Sequence, residues 1–407
     1  MTFNDCFVII YLLNIYGGGI TLKKSIRDYD INGKKVIIRC DFNVPILNNK
    51  ILDDTRIKAS LKTINYARDN GAKVILMSHL GKVKTEEDKC NNSLLIVSVR
   101  LSELLGIKVK FSAETRGPLL ESLVNNLNNG DVLLIENTRF EDIDSKKESS
   151  CDMELSKYWA SLGDIFIDDA YAMVHREHAS NVGIARYLDN GIGFLVEDEI
   201  NKLDSFMSDN SHPLVVIMGG KKVEDKIGVI KNLITKCDKL LVGGGMCFTF
   251  LKAKGYNVGN SIVDNSNIEF CKEMLNKYSD KIVLPVDIVT DYGYRKVSDI
   301  KDNECGYDIG SDTIEIFSDI LKDAKRCIIN GPMGVYEDKK YSKGTSSLYT
   351  ILKDNNVKTL VGGGDSASSV NNLGFEGAFY HVSTGGGATL EYLSGKSLPG
   401  IDVIMEK

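Results

Sequence analysis

Two lysines follow a pair of glycines in the second half of the chain, directly after an apolar run. Leu214–Met218 leads into Gly219 and Gly220, and Lys221 and Lys222 come next. Because glycine has no Cβ, the N–H groups of a loop at the carboxyl end of a parallel strand can approach an anionic ligand closely. A neighbouring lysine adds a point charge that suits phosphate. The pattern therefore predicts a phosphate-binding loop.

Three further glycine-rich loops each follow a short apolar run: Gly243–Gly245, Gly362–Ser366 and Thr384–Gly387. One such loop is weak evidence, but four at predicted strand ends make a phosphate-rich ligand the leading hypothesis. An NAD-dependent dehydrogenase is an alternative, since glycine loops after strands also bind dinucleotides. The sequence lacks a clear Gly-x-Gly-x-x-Gly pattern with an acidic residue about 20 positions later, which argues against that alternative.

The first half carries cations at the predicted strand ends, where the second half carries glycines. They are Arg39, His79, Arg139, His175, Arg176 and His178, with Arg56 at the start of a helix. A single arginine is usually a surface or ion-pair residue. Recurrence at one edge of a sheet favours another role, because guanidinium groups bind phosphate and carboxylate oxygens bidentately. The first half therefore predicts a pocket for a small polyanion, and the second half a backbone cradle for a nucleotide.

Strand-like apolar runs alternate with helical patterns such as Arg56–Asn70 and Leu95–Leu105. Besides Leu214–Met218, the runs are Val36–Ile38, Val74–Met77, Val132–Ile135, Ile165–Ile167, Leu240–Val242, Ile282–Leu284, Cys327–Ile329, Thr359–Val361 and Phe379–Val382. Continuous apolar runs of this length suit strands that are buried on both faces of a parallel sheet. We therefore predict an α/β fold with two doubly wound, Rossmann-like parallel-sheet domains that face a central cleft.

The boundary between these domains is predicted between residues 190 and 212. Val196, Ile200, Leu203 and Phe206 follow Gly193 at helical spacing, and residues 209–213 have the composition of a loop. This pattern gives a first domain over residues 22–190, a connecting hinge helix over 191–212 and a second domain over 213–389. Residues 390–407 form a C-terminal tail.

Composition excludes several classes of protein and site. An apolar fraction of 43% and a charged fraction of 26% are typical of a globular protein, and the net charge of −6 gives no reason to expect nucleic acid as a partner. The nine cysteines are scattered singly, which suits reduced thiols in the cytoplasm. The five histidines show no metal-ligand spacing.

The N-terminal segment has its own pattern. Residues 7–16 are almost all apolar, but the run is too short to span a bilayer and lacks the basic flank of a signal peptide. We therefore expect no membrane partner. Residues 1–21 are interpreted as a non-native leader, translated from a start codon upstream of the native start near Leu22. The alternative is a genuine segment that binds an interface or a partner.

Motifs throughout the chain, from about Leu22 to the end, resemble those of the phosphoglycerate kinase family. They are Arg39–Pro45, Ser78–Gly81, Glu136–Phe140, Gly219–Lys226, Asn330–Glu337, Gly362–Ser366 and Thr384–Gly387. They occur in the family's order, which makes the resemblance highly specific. It implies reversible phosphoryl transfer from 1,3-bisphosphoglycerate to ADP, giving 3-phosphoglycerate and ATP, with Mg²⁺ bound to the nucleotide. It also implies a monomer, and a tail that returns to the first domain.

The resemblance also implies a role for each matching residue. Phosphoglycerate would be bound by Asp41, Phe42, Asn43, Arg56, His79, Leu80, Gly81, Lys82, Arg139 and Arg176. The nucleotide would be bound by Gly219, Gly220, Lys226, Gly243, Gly244, Gly306, Asn330, Pro332, Val335, Glu337, Gly363, Gly364, Asp365 and Ser366. Asp365 would hold the metal, and the catalytic residues would be Arg56, Lys222, Gly386 and Gly387. No general base is required, because a carboxylate is already a competent nucleophile toward phosphorus.

The sequence departs from the family pattern at several positions near the predicted substrate residues. Lys82 stands where arginine is usual, and Asp168, Ala172 and Met173 replace asparagine, glycine and a small residue. Lysine loses the bidentate fork, Asp168 adds negative charge and Met173 adds bulk. Glu224 replaces a small residue in the lysine loop. These departures leave open a second hypothesis, a kinase-derived protein that binds its ligands with little turnover.

Overall fold

The computed structural model describes residues 23–407, so the interpretation of residues 1–21 lies outside the described residues. The chain divides into two compact units. The first runs to Ser208 and also includes Ser397–Lys407, and the second is Asp209–Lys396. Each contains a six-stranded parallel sheet with connecting helices, which confirms the predicted α/β class with two doubly wound sheets.

The first unit contains a parallel sheet and a short antiparallel hairpin. Its strands are β1 (Lys35–Arg39), β2 (Ile46–Leu47), β3 (Lys50–Ile51), β4 (Lys73–Met77), β5 (Lys110–Ser112), β6 (Val132–Ile135), β7 (Ile165–Asp168) and β8 (Asp189–Ile192). The parallel order is β5-β6-β4-β1-β7-β8, and β2 pairs with β3. Arg39 is in register with Met77 on one side and Asp168 on the other. The carboxyl ends of the three central strands are therefore level.

The helices of the first unit cover both faces of its sheet. Those that precede Ser208 are α1 (Thr55–Asp69), α2 (Asp88–Asn91), α3 (Leu95–Leu105), α4 (Pro118–Asn125), α5 (Met153–Ala160) and α6 (Phe194–Met207). Successive β1 residues alternate between two cores: Val36 and Ile38 pack on one face, and Ile37 packs on the other with Trp159. The period-two geometry of a strand explains why this run is apolar throughout.

The second unit contains a parallel sheet and a small antiparallel sheet. Its strands are β9 (Leu214–Met218), β10 (Lys239–Val242), β11 (Ile282–Val283), β12 (Asp287–Thr290), β13 (Gly293–Lys296), β14 (Gly306–Ile309), β15 (Arg326–Asn330), β16 (Lys358–Val361) and β17 (His381–Val382). The parallel order is β11-β10-β9-β15-β16-β17. The antiparallel sheet β13-β12-β14 was not expected from the sequence.

The remaining helices complete the fold. They are α7 (Ile227–Leu233), α8 (Cys247–Ala253), α9 (Ile268–Lys277), α10 (Ser311–Lys322), α11 (Lys343–Asp354), α12 (Gly364–Asn372), α13 (Gly386–Leu393) and α14 (Pro399–Asp402). Helix α14 belongs to the first unit, where the Gly400 N–H bonds the Val174 carbonyl at 2.8 Å. Within residues 23–407, no helix is long and apolar enough to cross a membrane.

The limits of the two units differ from the expected segment limits for local reasons. Helix α6 lies wholly in the first unit, where the Phe194 N–H donates to Thr63 Oγ1 on α1 at 2.9 Å. Asp209, the next residue but one after α6, pairs with Lys358 of the second unit at 2.9 Å. Residues 390–396 lie in the second unit, because the Leu393 carbonyl accepts a hydrogen bond from Asn232 at 2.7 Å. Only the last eleven residues, 397–407, lie in the first unit.

Candidate active site

The first glycine loop lies against the loop that follows the neighbouring strand of the second unit. Met218 on β9 is in register with Asn330 on β15. The Gly219 N–H bonds the Asn330 carbonyl at 2.9 Å, and the Gly220 N–H bonds the Pro332 carbonyl at 3.0 Å. A Cβ on Gly219 would clash with the Pro332 carbonyl oxygen. Only glycine fits at position 219, and its lack of a side chain allows the loop after β9 to pass this close to the loop after β15.

The loop after β10 lies beside the same crossing. The Gly244 N–H bonds the Met333 carbonyl at 3.0 Å, and the Gly243 N–H bonds Met218 at 2.8 Å. A Cβ on Gly244 would lie 2.6 Å from the Gly220 nitrogen. Three predicted nucleotide loops, after β9, β10 and β15, therefore meet at one sheet edge.

Lys226 reaches this edge from the end of its loop. Its side chain is buried, and Nζ donates to the Asn330 carbonyl at 3.1 Å and to Asn330 Oδ1. Burial lowers the pKa of Lys226 to about 8, against the opposing attraction of Asp365 and Asp225. Both hydrogen bonds that the Lys226 ammonium makes here are to Asn330, on the neighbouring strand β15. Near neutral pH this lysine supplies a poorly hydrated positive charge.

Two helix N-termini lie beside each other at the other end of this edge. Gly363 is the N-cap of α12 with a φ of 100°, and Gly386 opens α13. A Cβ on Gly386 would be only 3.6 Å from the Gly364 nitrogen. Helix N-termini carry unpaired N–H groups and a partial positive charge, so two together suit a phosphate. Ser366 Oγ, in the first turn of α12, accepts a hydrogen bond from the Gly331 N–H at 2.6 Å.

Asp365 offers an exposed carboxylate in the first turn of α12. The N-cap residue of α12 is Gly363, so Asp365 does not occupy the N-cap position. Among residues 23–407, no group of three or more His, Cys, Asp or Glu side chains is arranged to hold a metal. A lone carboxylate beside a phosphate site still fits Mg²⁺, which binds through one or two carboxylates plus phosphate oxygens.

The remaining predicted nucleotide residues lie on the side of β14. The Val335 N–H bonds the Tyr307 carbonyl at 3.0 Å, which ties the 330–337 loop to this strand. Gly306 packs so closely on Phe248 that a Cβ would clash with the ring. Glu337 is exposed. Lys221 and Lys222 are also exposed, and the Glu224 N–H between them and Lys226 bonds Asp264 at 3.1 Å.

The first unit brings its predicted substrate residues to the carboxyl ends of β1, β4 and β6. Arg56 pairs with the buried Asp41 at 2.7 Å. Asn43 Oδ1 accepts the Gly81 N–H at 2.8 Å, and Arg139 donates to the Gly81 carbonyl. Residues that are remote in sequence therefore form one cluster of guanidinium, amide and carboxylate groups.

Backbone contacts hold the neighbouring residues of this cluster in place. The Phe42 N–H bonds Ser78 Oγ at 2.8 Å. Leu80 is held on both sides by Asn137, which accepts its N–H at 3.2 Å and donates to its carbonyl at 2.7 Å. Asn137 Oδ1 also accepts the Arg139 N–H at 3.1 Å. Asn137 belongs to a recognised motif, but its bridging role was not foreseen.

His79 and Arg39 form the buried floor of the same cluster. Arg39 Nη2 lies 3.3 Å from His79 Nδ1, and both side chains are almost fully buried. Burial and the nearby Arg39 and Arg139 hold the pKa of His79 well below its usual range. Burial, together with Arg39 and Arg176, also lowers the pKa of Arg139. The cluster is thus a preformed concentration of positive charge that an anionic ligand would relieve.

Two of the departures from the family pattern are buried. Asp168 has no exposed surface, and burial raises its pKa to about 7. Its added negative charge is therefore only partial near neutral pH. Met173 is also buried, and its carbonyl accepts hydrogen bonds from Arg176 and Asn181. Lys82 and Arg176 are exposed.

Sequence reasoning missed Glu148 and Ser180. Glu148 is fully buried, and both its oxygens accept hydrogen bonds from Ser180. Ser180 Oγ in turn accepts from Arg39 at 2.9 Å. Glu148 lies in a polar stretch of lysines, glutamate and serines, which gave no sign that one carboxylate enters the core.

Comparison with known proteins identifies the family. A family model described as phosphoglycerate kinase matches residues 26–396. The chain belongs to the phosphoglycerate kinase family. The phosphoglycerate kinase of Fusobacterium nucleatum is 51% identical over 398 residues, covering 95% of this chain and 100% of the relative. That of Listeria welshimeri is 52% identical over 394 residues, with the same coverage.

Solved structures agree with this assignment. The phosphoglycerate kinase structure from Coxiella burnetii superposes with a TM-score of 0.83 at 33% identity, covering 94% of this chain and 98% of that one. The structure from Pyrococcus horikoshii gives a TM-score of 0.82 at 30% identity, with 93% and 98% covered. The enzyme therefore catalyses the glycolytic phosphoryl transfer between 1,3-bisphosphoglycerate and ADP. The dehydrogenase alternative is wrong.

Proposed function

We propose that the first unit binds phosphoglycerate through the cluster at the carboxyl ends of β1, β4 and β6. The binding residues are Asp41, Phe42, Asn43, Arg56, His79, Leu80, Gly81, Lys82, Arg139 and Arg176. The observation that carries this assignment is the crowding of positive charge around His79 and Arg139. The guanidinium groups of Arg56, Arg139 and Arg176 can pair bidentately with phosphate and carboxylate oxygens.

The second unit binds the nucleotide with backbone N–H groups and one buried ammonium. Its residues are Gly219, Gly220, Lys226, Gly243, Gly244, Gly306, Asn330, Pro332, Val335, Glu337 and Gly363–Ser366. Lys226 and the adjacent N-termini of α12 and α13 supply positive charge to the phosphates, while Glu337 would accept hydrogen bonds from the ribose hydroxyls. Asp365 would hold Mg²⁺ together with phosphate oxygens, and the ion supplies charge neutralisation there.

Catalysis consists of alignment and charge stabilisation. In the direction of ATP consumption, a carboxylate oxygen of 3-phosphoglycerate attacks the γ-phosphorus. The new O–P bond forms as the bond to the β-phosphate oxygen breaks, and ADP leaves with that electron pair. Arg56, Lys222 and the N–H groups of Gly386 and Gly387 meet the charge on the transferring oxygens. No proton transfer is needed, which suits a site built of cations and amides.

The reaction requires the two ligands to approach each other and water to be excluded, so hinge closure is part of the proposal. The chain passes between the units only at Ser208–Asp209 and at Lys396–Ser397, which makes these joints and the end of α6 the hinge candidates. A monomer in the cytoplasm is the accompanying expectation. The eight cysteines within the described residues are free thiols, which supports a reducing compartment.

The division of labour is tested by kinetics on matched arginine variants. Arg176→Ala should raise KM for 3-phosphoglycerate about tenfold or more, because a charge-assisted contact is lost, and leave KM for ATP unchanged. Arg186→Ala is the control, since Arg186 is another exposed arginine of the same unit that pairs with Glu177. A rise in KM for ATP in the Arg176 variant, or equal effects of both substitutions, would contradict the assignment. Binding of both ligands by the wild-type enzyme without turnover would favour the low-turnover hypothesis.

A further inference from the structure

A line of buried polar groups runs beneath the phosphoglycerate cluster. Glu148 accepts from the Ser180 N–H at 2.9 Å with Oε2 and from the Ser180 hydroxyl with Oε1. Ser180 Oγ accepts from Arg39 Nε at 2.9 Å, and Arg39 Nη2 lies 3.3 Å from His79 Nδ1. None of these four side chains is more than 3% exposed. We call this series the Glu148–Ser180–Arg39 relay.

The direction of each hydrogen bond in the relay follows from chemistry. A guanidinium group can only donate, so both Ser180 Oγ and His79 Nδ1 must accept from Arg39. The Ser180 hydroxyl proton is then directed to the Glu148 carboxylate, the acceptor on its other side. Because His79 Nδ1 accepts, the neutral imidazole carries its proton on Nε2. Burial and the surrounding arginines keep this histidine neutral by lowering its pKa.

The Glu148 carboxylate supplies the negative charge that stabilises the buried guanidinium of Arg39. A guanidinium buried as completely as Arg39 requires a nearby negative charge. The pKa of Glu148 is lowered even though burial acts to raise it, since His178, Arg39 and Ser180 stabilise the carboxylate. His178 Nδ1 lies 3.6 Å from Oε1. Asp168, in register with Arg39 on β7, is a weaker source of charge because burial raises its pKa to about 7.

We propose that Glu148 and Ser180 are positioning residues for phosphoglycerate binding: through Arg39 they fix His79 as a neutral imidazole that donates from Nε2 to an anionic oxygen of the substrate. The substrate part of this inference rests on the proposed function, which assigns His79 to the phosphoglycerate site. The tautomer part rests on the relay alone.

Two variants and one control test the relay. Ser180→Ala removes the link between the carboxylate and Arg39, and Glu148→Gln removes the negative charge at nearly constant volume. Ser156→Ala is the control, because Ser156 is another buried serine of the first unit whose hydroxyl bonds a backbone carbonyl, that of Asp152, at 2.6 Å. Fluorescence of Trp159, the only tryptophan and fully buried in the same unit, checks that each variant is folded.

The primary measurement is the ¹⁵N chemical shift of the His79 ring in the full-length enzyme without substrate. The wild type and Ser156→Ala should show the tautomer protonated on Nε2, and each relay variant should show a mixture or the other tautomer. In the same variants KM for 3-phosphoglycerate should rise roughly tenfold while KM for ATP stays within about twofold. If one relay variant does not fold, the other is sufficient.

Two results would overturn the proposal, and they differ in what they say about the site. An unchanged His79 tautomer in a folded relay variant would mean that the relay does not control the imidazole, whatever the kinetics. A changed tautomer with an unchanged KM for 3-phosphoglycerate would mean that His79 makes no contact that matters to substrate. That second result would also remove His79 from the proposed binding residues.

Discussion

Replacement of Asp168 by asparagine should change how the stability of the first unit depends on pH. Asp168 is fully buried, and Oδ1 accepts the Ala170 N–H at 3.0 Å. Oδ2 has no hydrogen-bond partner within the described part of the chain. Burial raises the pKa of Asp168 to about 7, and that of the adjacent Asp169 to about 8. Asparagine keeps the size and the acceptor but cannot ionise.

The sign and size of the effect follow from linkage. The folded protein holds the Asp168 proton up to about pH 7, whereas the unfolded chain releases it near the ordinary aspartate pKa of 3.8. Between these pH values the folded state binds more protons, so its stability falls as pH rises through the window. One proton corresponds to about 1.4 kcal/mol per pH unit, or roughly 3 kcal/mol between pH 5 and pH 7. Asp168→Asn should lack this loss.

The assay is urea unfolding followed by Trp159 fluorescence, which reports on the first unit, at several pH values from about 5 to about 8. The free energy of unfolding of Asp168→Asn relative to wild type should increase across this range. Asp189→Asn is the control, since it removes an exposed carboxylate from β8 of the same sheet, and it should give a nearly constant difference. A constant difference for Asp168→Asn would show that Asp168 is already ionised in the folded protein and would refute the reasoning.

Three further predictions concern the second unit. Lys222→Ala should lower kcat by about 10²–10³-fold with little change in KM, as expected for a contact made in the transition state. The control Lys221→Ala should leave kcat within about twofold of the wild type. Similar effects of both substitutions would mean that only the local charge matters. The kcat/KM for ADP should fall as pH rises through about 8, where Lys226 loses its proton. Lys226→Arg should remove that fall, because a guanidinium group stays charged. If the fall persists in the variant, a group other than Lys226 causes it. Asp365→Asn should raise the Mg²⁺ concentration that gives half-maximal activity at saturating ADP, and an unshifted midpoint would exclude Asp365 as the metal ligand.

Strands with strong apolar runs could be predicted because a doubly covered parallel sheet needs such runs. The prediction of Val132–Ile135 matches β6, and Leu214–Met218 matches β9. The antiparallel sheet of the second unit was missed, since its strands mix polar and apolar residues. Strand β13 reads Gly-Tyr-Arg-Lys, and Asp287 on β12 is a buried carboxylate that accepts the N–H of Thr313 at 2.8 Å. Alternation over four residues is too short to separate such strands from loops.

The candidate site was predictable where its chemistry lies within a short motif. The Gly219–Lys226 loop carries its glycines and lysine within eight residues, so its spacing alone indicates phosphate. Glu148 carries no such signal. Only the tertiary structure brings it to Ser180, 32 positions later, and through Ser180 to Arg39. Residues that position a binding site from behind, such as Glu148, are therefore harder to predict from sequence than the residues that face the ligand.

The two units solve the problem of binding anions in different ways, and the difference has consequences for substitution. In the second unit much of the proposed positive potential comes from backbone N–H groups at helix N-termini, such as those of Gly364 and Gly386, which no side-chain ionisation can remove. In the first unit the proposed potential comes from side chains, and those of Arg39, His79 and Arg139 are buried or half-buried and depend on one another for their charge, with Glu148 as the balancing carboxylate. The added carboxyl of Asp168 is accommodated there in a buried position, where its raised pKa leaves it partly protonated near neutral pH. We therefore expect departures from the family pattern in this unit to change mainly the protonation and the alignment of the charged side chains at the carboxyl ends of β1, β4 and β6. Changes in direct contacts with the substrate should be secondary.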